Sequence, residues 1–165
     1  GMVMRADVAA AAIDAVPRDG RPLIYLSPRG APLTQARVRQ LSGGPGVVLL
    51  CGRFEGLDER VIGARGIEEV SIGDFVLAGG EIAAMALIEA AVRLIPGVLG
   101  THASTQEESF SSGLLEYPQF TRPQDFEGRA IPEVLNNGNH KEISRWRLAE
   151  AERLTRARRP ALWAA

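Results

Sequence analysis

The sequence predicts an α/β fold, a parallel sheet covered by helices, followed by a small C-terminal helical segment. Three observations carry this reading. Short, wholly apolar runs at residues 23–26 (LIYL) and 47–51 (VVLLC) alternate with helical patterns, and strands apolar on both faces belong to parallel sheets sandwiched between helices. Each run ends in a turn rich in glycine or proline. The alternation stops after Pro96, and a helical period returns only at His140.

Taken in order, residues 4–16 (MRADVAAAAIDAV) are rich in alanine, the best helix former, and Pro17 ends that helix. Residues 23–26 form a strand, stopped by Ser27-Pro28-Arg29-Gly30. Thr34 caps a helix of about two turns with Val38 and Leu41 facing inward, and the Ser42-Gly43-Gly44-Pro45 run breaks it. Residues 47–51 are a second strand. A helix starting near Leu57-Asp58 carries Val61 and Ile62, residues 69–72 are a third strand, and Gly79-Gly80 opens a long helix over 81–94. Residues 97–139 are rich in glycine, proline, asparagine and serine and show no sustained period. A structureless stretch of that length is either functional or a linker. Residues 140–158 are helical, with Ile143, Trp146, Leu148 and Leu154 as the apolar side.

Composition bounds the function. The 165 residues, 45% hydrophobic and 24% charged, suffice for one domain, or one domain with a small appendage, and exclude a wholly disordered chain. A lone cysteine, Cys51, excludes an internal disulfide framework and a cysteine-clustered metal site, and points to a reducing compartment. No signal peptide is read at the start. The longest apolar stretch, 82–99, is interrupted by Glu89, Arg93 and Pro96, so no transmembrane helix is expected. The net charge of −1 is uneven: from His140 onward seven basic residues face three acidic ones, so that tail carries +4 and the rest −5. A basic tail on an acidic body suits a polyanionic partner, although a solvated amphipathic helix has the same composition.

The turns YLSPRG (25–30), CGRFEG (51–56) and SIGDFVLAGGE (71–81) all follow strands. Ligands of open parallel sheets bind outside the carboxyl ends of the strands, and glycines let main-chain groups approach closely. The three turns together therefore predict one pocket that holds its ligand largely through backbone. No GxGxxG follows a strand and no GxxxxGK[ST] occurs, which argues against a standard dinucleotide fold and a P-loop.

The strings IYLSP, CGRFEGLDERV, SIGDFVLAGGE, RLIPGVLG, ESFSSGLLEYPQFTRP and NGNHKEISRWR, in this order and spacing, resemble the bacterial tRNA (guanine-N1)-methyltransferase family, of the SPOUT class, over nearly the whole chain. The resemblance implies a deep trefoil knot, a feature too rare for any pattern argument to predict. It implies that S-adenosylmethionine is the methyl donor, with Mg2+ a candidate in turnover, and that N1 of guanosine 37 beside the tRNA anticodon is the acceptor. It implies a cytoplasmic homodimer with no membrane association. By position, the implied cofactor contacts are Tyr25, Leu26, Ser27 and Pro28; Gly52, Glu55 and Gly56; and Ile72, Gly73, Phe75, Leu77, Gly79 and Gly80. Leu26, Ile72 and Leu77 read equally as core.

Guanine N1 carries a proton at neutral pH, so a positioned base must remove it, and a cation near O6 stabilises the charge that develops. The resemblance implies Arg93 as that cation and places Glu108 where the family usually carries aspartate; the adjacent Glu107 is an alternative, and both read otherwise as solvated loop charges. His140, Arg145 and Arg147 are the implied RNA contacts, with Trp146 read as core rather than as a base-stacking platform. The implied organisation is a knotted cofactor-binding domain over 1–115 with its N-terminal part missing, an interdomain linker over 116–139, and the start of a helical tRNA-binding domain over 140–165. Two other readings remain: a SPOUT-fold module that binds S-adenosylmethionine or RNA without turnover, and a nucleotide-using α/β enzyme that does not act on RNA.

Overall fold

Leu23, Ile24, Tyr25 and Leu26, all buried, form the centre of the first of two compact units, Gly1–Gly100 and Thr101–Ala165. The computed structural model describes residues 1–98 and 108–164. Side chains alternate across a strand, and these four divide two cores between them. Leu23 and Tyr25 pack with Ala9 and Ile13 of α1 (Ala6–Asp14) and Val61 of α3 (Glu59–Arg65). Ile24 and Leu26 pack with Leu41 of α2 (Gln35–Ser42) and with Ala83, Ala84 and Leu87 of α4 (Glu81–Val92). The sheet is parallel in the order β2 (Val48–Leu50), β1 (Leu23–Pro32), β3 (Glu68–Ser71). Helices on both faces of a parallel sheet are the predicted architecture.

The helix ends follow local chemistry. Thr34 Oγ1 accepts from the Arg37 N–H at 3.2 Å and caps α2, with Val38 and Leu41 buried. Asp58 Oδ1 accepts from the Arg60 N–H at 2.9 Å and caps α3, and Gly66 closes that helix in the left-handed conformation at φ 56°. An ion pair between Arg37 and Glu68 joins α2 to β3.

One boundary differs from expectation. The first strand does not stop at the 27–30 turn. Val70 pairs with Leu26 and again with Ala31, so residues 27–30 bulge out and β1 resumes to Pro32 beside Ser71. A Cβ on Gly30 would collide with the backbone of Glu69 and Val70, and this close approach is what lets the chain return to the same neighbour.

In the second unit, the described part of the predicted irregular stretch, residues 108–139, carries some regular structure. A two-stranded antiparallel hairpin pairs β4 (Asp125–Phe126) with β5 (Arg129–Ala130), and a 3-10 turn covers Glu133–Leu135. α5 spans His140–Arg158 and a short α6 spans Pro160–Trp163. The predicted apolar side of α5 needs one correction. Leu148 is 54% exposed; the buried positions are Ala151, Leu154 and Thr155, with Arg147 half-buried one turn before Ala151. Ile143 is half-buried and Leu154 buried as predicted, so Leu148 alone of the predicted positions faces outward. Trp146 is half-buried and packs at a tilt against Phe120, ring centroids 6.1 Å apart.

Candidate functional site

The 27–30 bulge of β1 and the loops that follow β2 and β3 face one cleft of about 360 Å³, within the range of small-molecule sites. All thirteen residues implied as cofactor contacts line it. Leu26 does so while also buried in the core, and Ile72 packs on the same core, whereas Leu77 is 38% exposed and is not core. Sequence reasoning missed Arg29, Arg53, Phe54, Val76 and Ala78, which also line the cleft. All five lie inside the three quoted turns, so the signal was present.

The loops are tied to one another through main chain. The Gly80 N–H donates to Gly52 O at 3.0 Å, and Arg53 and Gly79 form an antiparallel bridge. A Cβ on Gly80 would lie 2.9 Å from Cys51 Cα and 3.2 Å from Gly52 N, so only glycine fits at the mouth of α4. A Cβ on Gly79 would instead meet the ends of the Glu81 and Arg53 side chains, which can move. The Tyr25 ring forms the wall below: a Cβ on Gly52 would lie 2.6 Å from it. Burial, and then the Glu69 carboxylate, push the Tyr25 phenol up, so it stays neutral. Ser71 Oγ donates to Gly73 O and accepts from the Gly73 N–H, at 3.1 and 3.2 Å, fixing the start of the third loop. Phe54 holds φ at 60°, a strained conformation for a bulky side chain and of a kind that clusters at ligand sites.

The rim carries paired charges. Arg29 bridges Glu59 at 2.5 Å and Glu69 at 3.1 Å, and these two carboxylates raise its pKa. Arg53 pairs with Glu81 at 2.8 Å. Glu55 is exposed beside them.

Arg93 follows the last turn of α4, half-buried, with its N–H donating to Glu89 O at 3.2 Å; a cation there also suits the helix dipole. Glu108 belongs to the second unit, where it lines a cleft of about 280 Å³ with Glu116, Tyr117, Ser144 and Arg147. Glu107, together with Leu99 and Gly100 of the RLIPGVLG string, lies outside the described residues. His140 and Arg145 are exposed at the start of α5. Arg147 is half-buried, with its guanidinium 4.7 Å from the centre of the Tyr117 ring, a cation–π distance. Phe110, two residues from Glu108, is the second strained aromatic, at φ 70°. Among the described residues no group of three or more His, Cys, Asp or Glu side chains could hold a metal ion, and no helix is long and apolar enough to cross a membrane.

Glycine-tight loops that converge on one cleft beside a parallel sheet define an α/β protein with a cleft of small-molecule size. The chain belongs to the tRNA (Guanine-1)-methyltransferase TrmD family, whose model matches residues 1–165. It is 69% identical over 166 residues to the tRNA (guanine-N(1)-)-methyltransferase of Rhodopseudomonas palustris (strain TIE-1), an alignment covering 100% of this chain and 67% of that protein. It is 64% identical over 166 residues to the protein of that name from Nitrobacter winogradskyi, covering 100% of this chain and 70% of the relative. To that of Mesorhizobium japonicum it is 65% identical over 164 residues, covering 98% and 71%. The chain thus spans about two thirds of the length of these relatives.

Proposed function

We infer that this protein transfers a methyl group from S-adenosylmethionine to N1 of a guanine in tRNA. Family membership and the names of close relatives support the reaction, and they favour it over a non-catalytic binding module. The observation that carries the cofactor is the convergence of all thirteen implied contacts on one cleft. The residues present fit that group: a backbone cradle closed to any side chain at Gly80, apolar surface from Phe54, Phe75 and Leu77, and the exposed carboxylate of Glu55 beside a cationic ligand. S-adenosylmethionine supplies an electrophilic methyl group there. The trefoil knot belongs to the same reading, supported by the tight passage of Gly30 against β3 and of Gly80 against Cys51.

On this reading guanosine 37 is the target, Glu108 accepts its N1 proton and Arg93 stabilises the charge developing toward O6. The glutamate keeps the carboxylate chemistry of the usual aspartate with one methylene more. The exposed basic residues of α5 hold the phosphates that position the RNA, in a cytoplasmic homodimer.

The test has two parts. Calorimetry should show S-adenosylhomocysteine binding where ATP and NAD do not. Methyl transfer to an anticodon stem-loop should fall by roughly two to four orders of magnitude in Glu108→Gln, the usual worth of a positioned base, with cofactor affinity kept. A full single-turnover rate in Glu108→Gln would remove Glu108 from the role.

A further inference from the structure

Thr155 has no exposed surface at all, and it is a polar residue in the buried stripe of α5. Buried hydroxyls are tolerated when satisfied, and this one is satisfied twice. It donates to Ala151 O at 2.7 Å, the usual contact one turn back along a helix. It also accepts from the Leu115 N–H at 2.8 Å, forty residues away in sequence.

Leu115 lies in the loop that carries Glu108, and that loop is closed on itself. The Phe110 N–H donates to Leu114 O at 2.7 Å, and the Ser111 N–H donates to Glu108 O at 3.1 Å. The Glu116 N–H donates to Ser109 Oγ at 2.9 Å. Bonds therefore run from the helix to Leu115, and from the residues on either side of Leu115 back to Phe110 and Ser109, next to Glu108. Phe110 holds its strained φ of 70° inside this ring, a conformation that persists only where surrounding structure fixes it.

We propose that Thr155 is a positioning residue for Glu108, holding the carboxylate-bearing loop on α5 through the Leu115 N–H, with Ser109 as the second tie. The proposal rests on the reading of Glu108 as the base. Valine has the shape of threonine without the acceptor, whereas serine keeps it.

In the enzyme with tRNA, Thr155→Val should slow single-turnover methyl transfer by up to about a hundredfold, the effect of a displacement near 1 Å in a reacting group. Affinities for S-adenosylhomocysteine and tRNA should stay unchanged, and the Leu115 amide should exchange faster with solvent. Thr155→Ser should restore both the rate and the protection of Leu115. Ser109→Ala, in the loop itself, tests the same tie should the valine variant not fold, and should also slow transfer. The double variant Thr155→Val/Glu108→Gln should be no slower than Glu108→Gln, because two changes acting through one group do not add. A normal rate in Thr155→Val and Ser109→Ala, with Glu108→Gln slow, overturns the proposal and leaves the base assignment standing. So do fully additive losses in the double variant. A full rate in Glu108→Gln removes the base and the proposal together.

Discussion

At the scale of single residues, the cleft is shaped by what cannot be there. Gly79 and Gly80 look equivalent in sequence, yet their surroundings differ. A side chain at Gly80 meets the backbone of Cys51 and Gly52, and a side chain at Gly79 meets the movable ends of Glu81 and Arg53. Gly80→Ala should therefore spread the second and third loops and abolish S-adenosylhomocysteine binding by calorimetry. Gly79→Ala should keep most of that affinity, because the Arg53–Glu81 pair can swing aside. Equal losses in the two variants would show that the pocket needs glycine for flexibility rather than for space. Tyr25 makes the same point from the opposite side: a large ring is accommodated because Gly52 leaves room for it.

At the scale of elements, capping and face polarity decide two outcomes. The Arg60 guanidinium, and then the Arg60 N–H, hold the Asp58 carboxyl at about 2, below its ordinary 3.8. A depressed carboxylate pKa contributes stability above the unfolded value that is lost as pH falls through the folded one. Asp58→Asn keeps a cap acceptor but not the titration, so its melting temperature should fall less steeply than that of the parent between about pH 4 and 2. Parallel slopes in that window would assign the acid sensitivity to other carboxylates, such as Asp14, which the guanidinium of Arg65 also holds low. α4 shows the second outcome. Its inner side is Ala83, Ala84 and Leu87, and its outer side exposes Ile82, Met85, Ile88 and Val92 at helical spacing. An exposed apolar row of this kind marks an interaction surface, and it supports the homodimer proposed above, with a second copy of the chain as the cover. On that reading the protein should sediment as a dimer and Ile88→Glu as a monomer, with the near-ultraviolet spectrum of the fold intact; a dimer unchanged in the variant would place the contact elsewhere.

At the scale of the whole molecule, local signals were legible and non-local ones were not. The helix cap at Thr34, the inward Val38 and Leu41, and the three loops could be read because each depends on neighbours in sequence. The return of β1 to Val70 could not, because it needs β3 alongside and the absence of a side chain at Gly30. One position of α5 was misread and one missed for a related reason: Leu148 is apolar yet exposed, while Thr155 is polar yet buried, with a partner forty residues away. The face a residue occupies also decides which basic side chains can meet a polyanion. Lys141 and Arg145 are exposed one turn apart on the same side of α5, whereas Arg147 is half-buried over Tyr117. The charge asymmetry of the chain, +4 from His140 onward against −5 before it, should therefore act on RNA through exposed side chains that include this pair, and not through Arg147. Lys141→Ala/Arg145→Ala should weaken tRNA binding whatever its sequence and reduce the slope of log affinity against log salt by roughly 1 to 2, close to one per lost phosphate contact. Arg147→Ala should lower the melting temperature by removing the stack on Tyr117 and leave the slope nearly unchanged. A reversed result, with the slope falling only in Arg147→Ala, would mean that Arg147 leaves Tyr117 to meet phosphate when RNA binds.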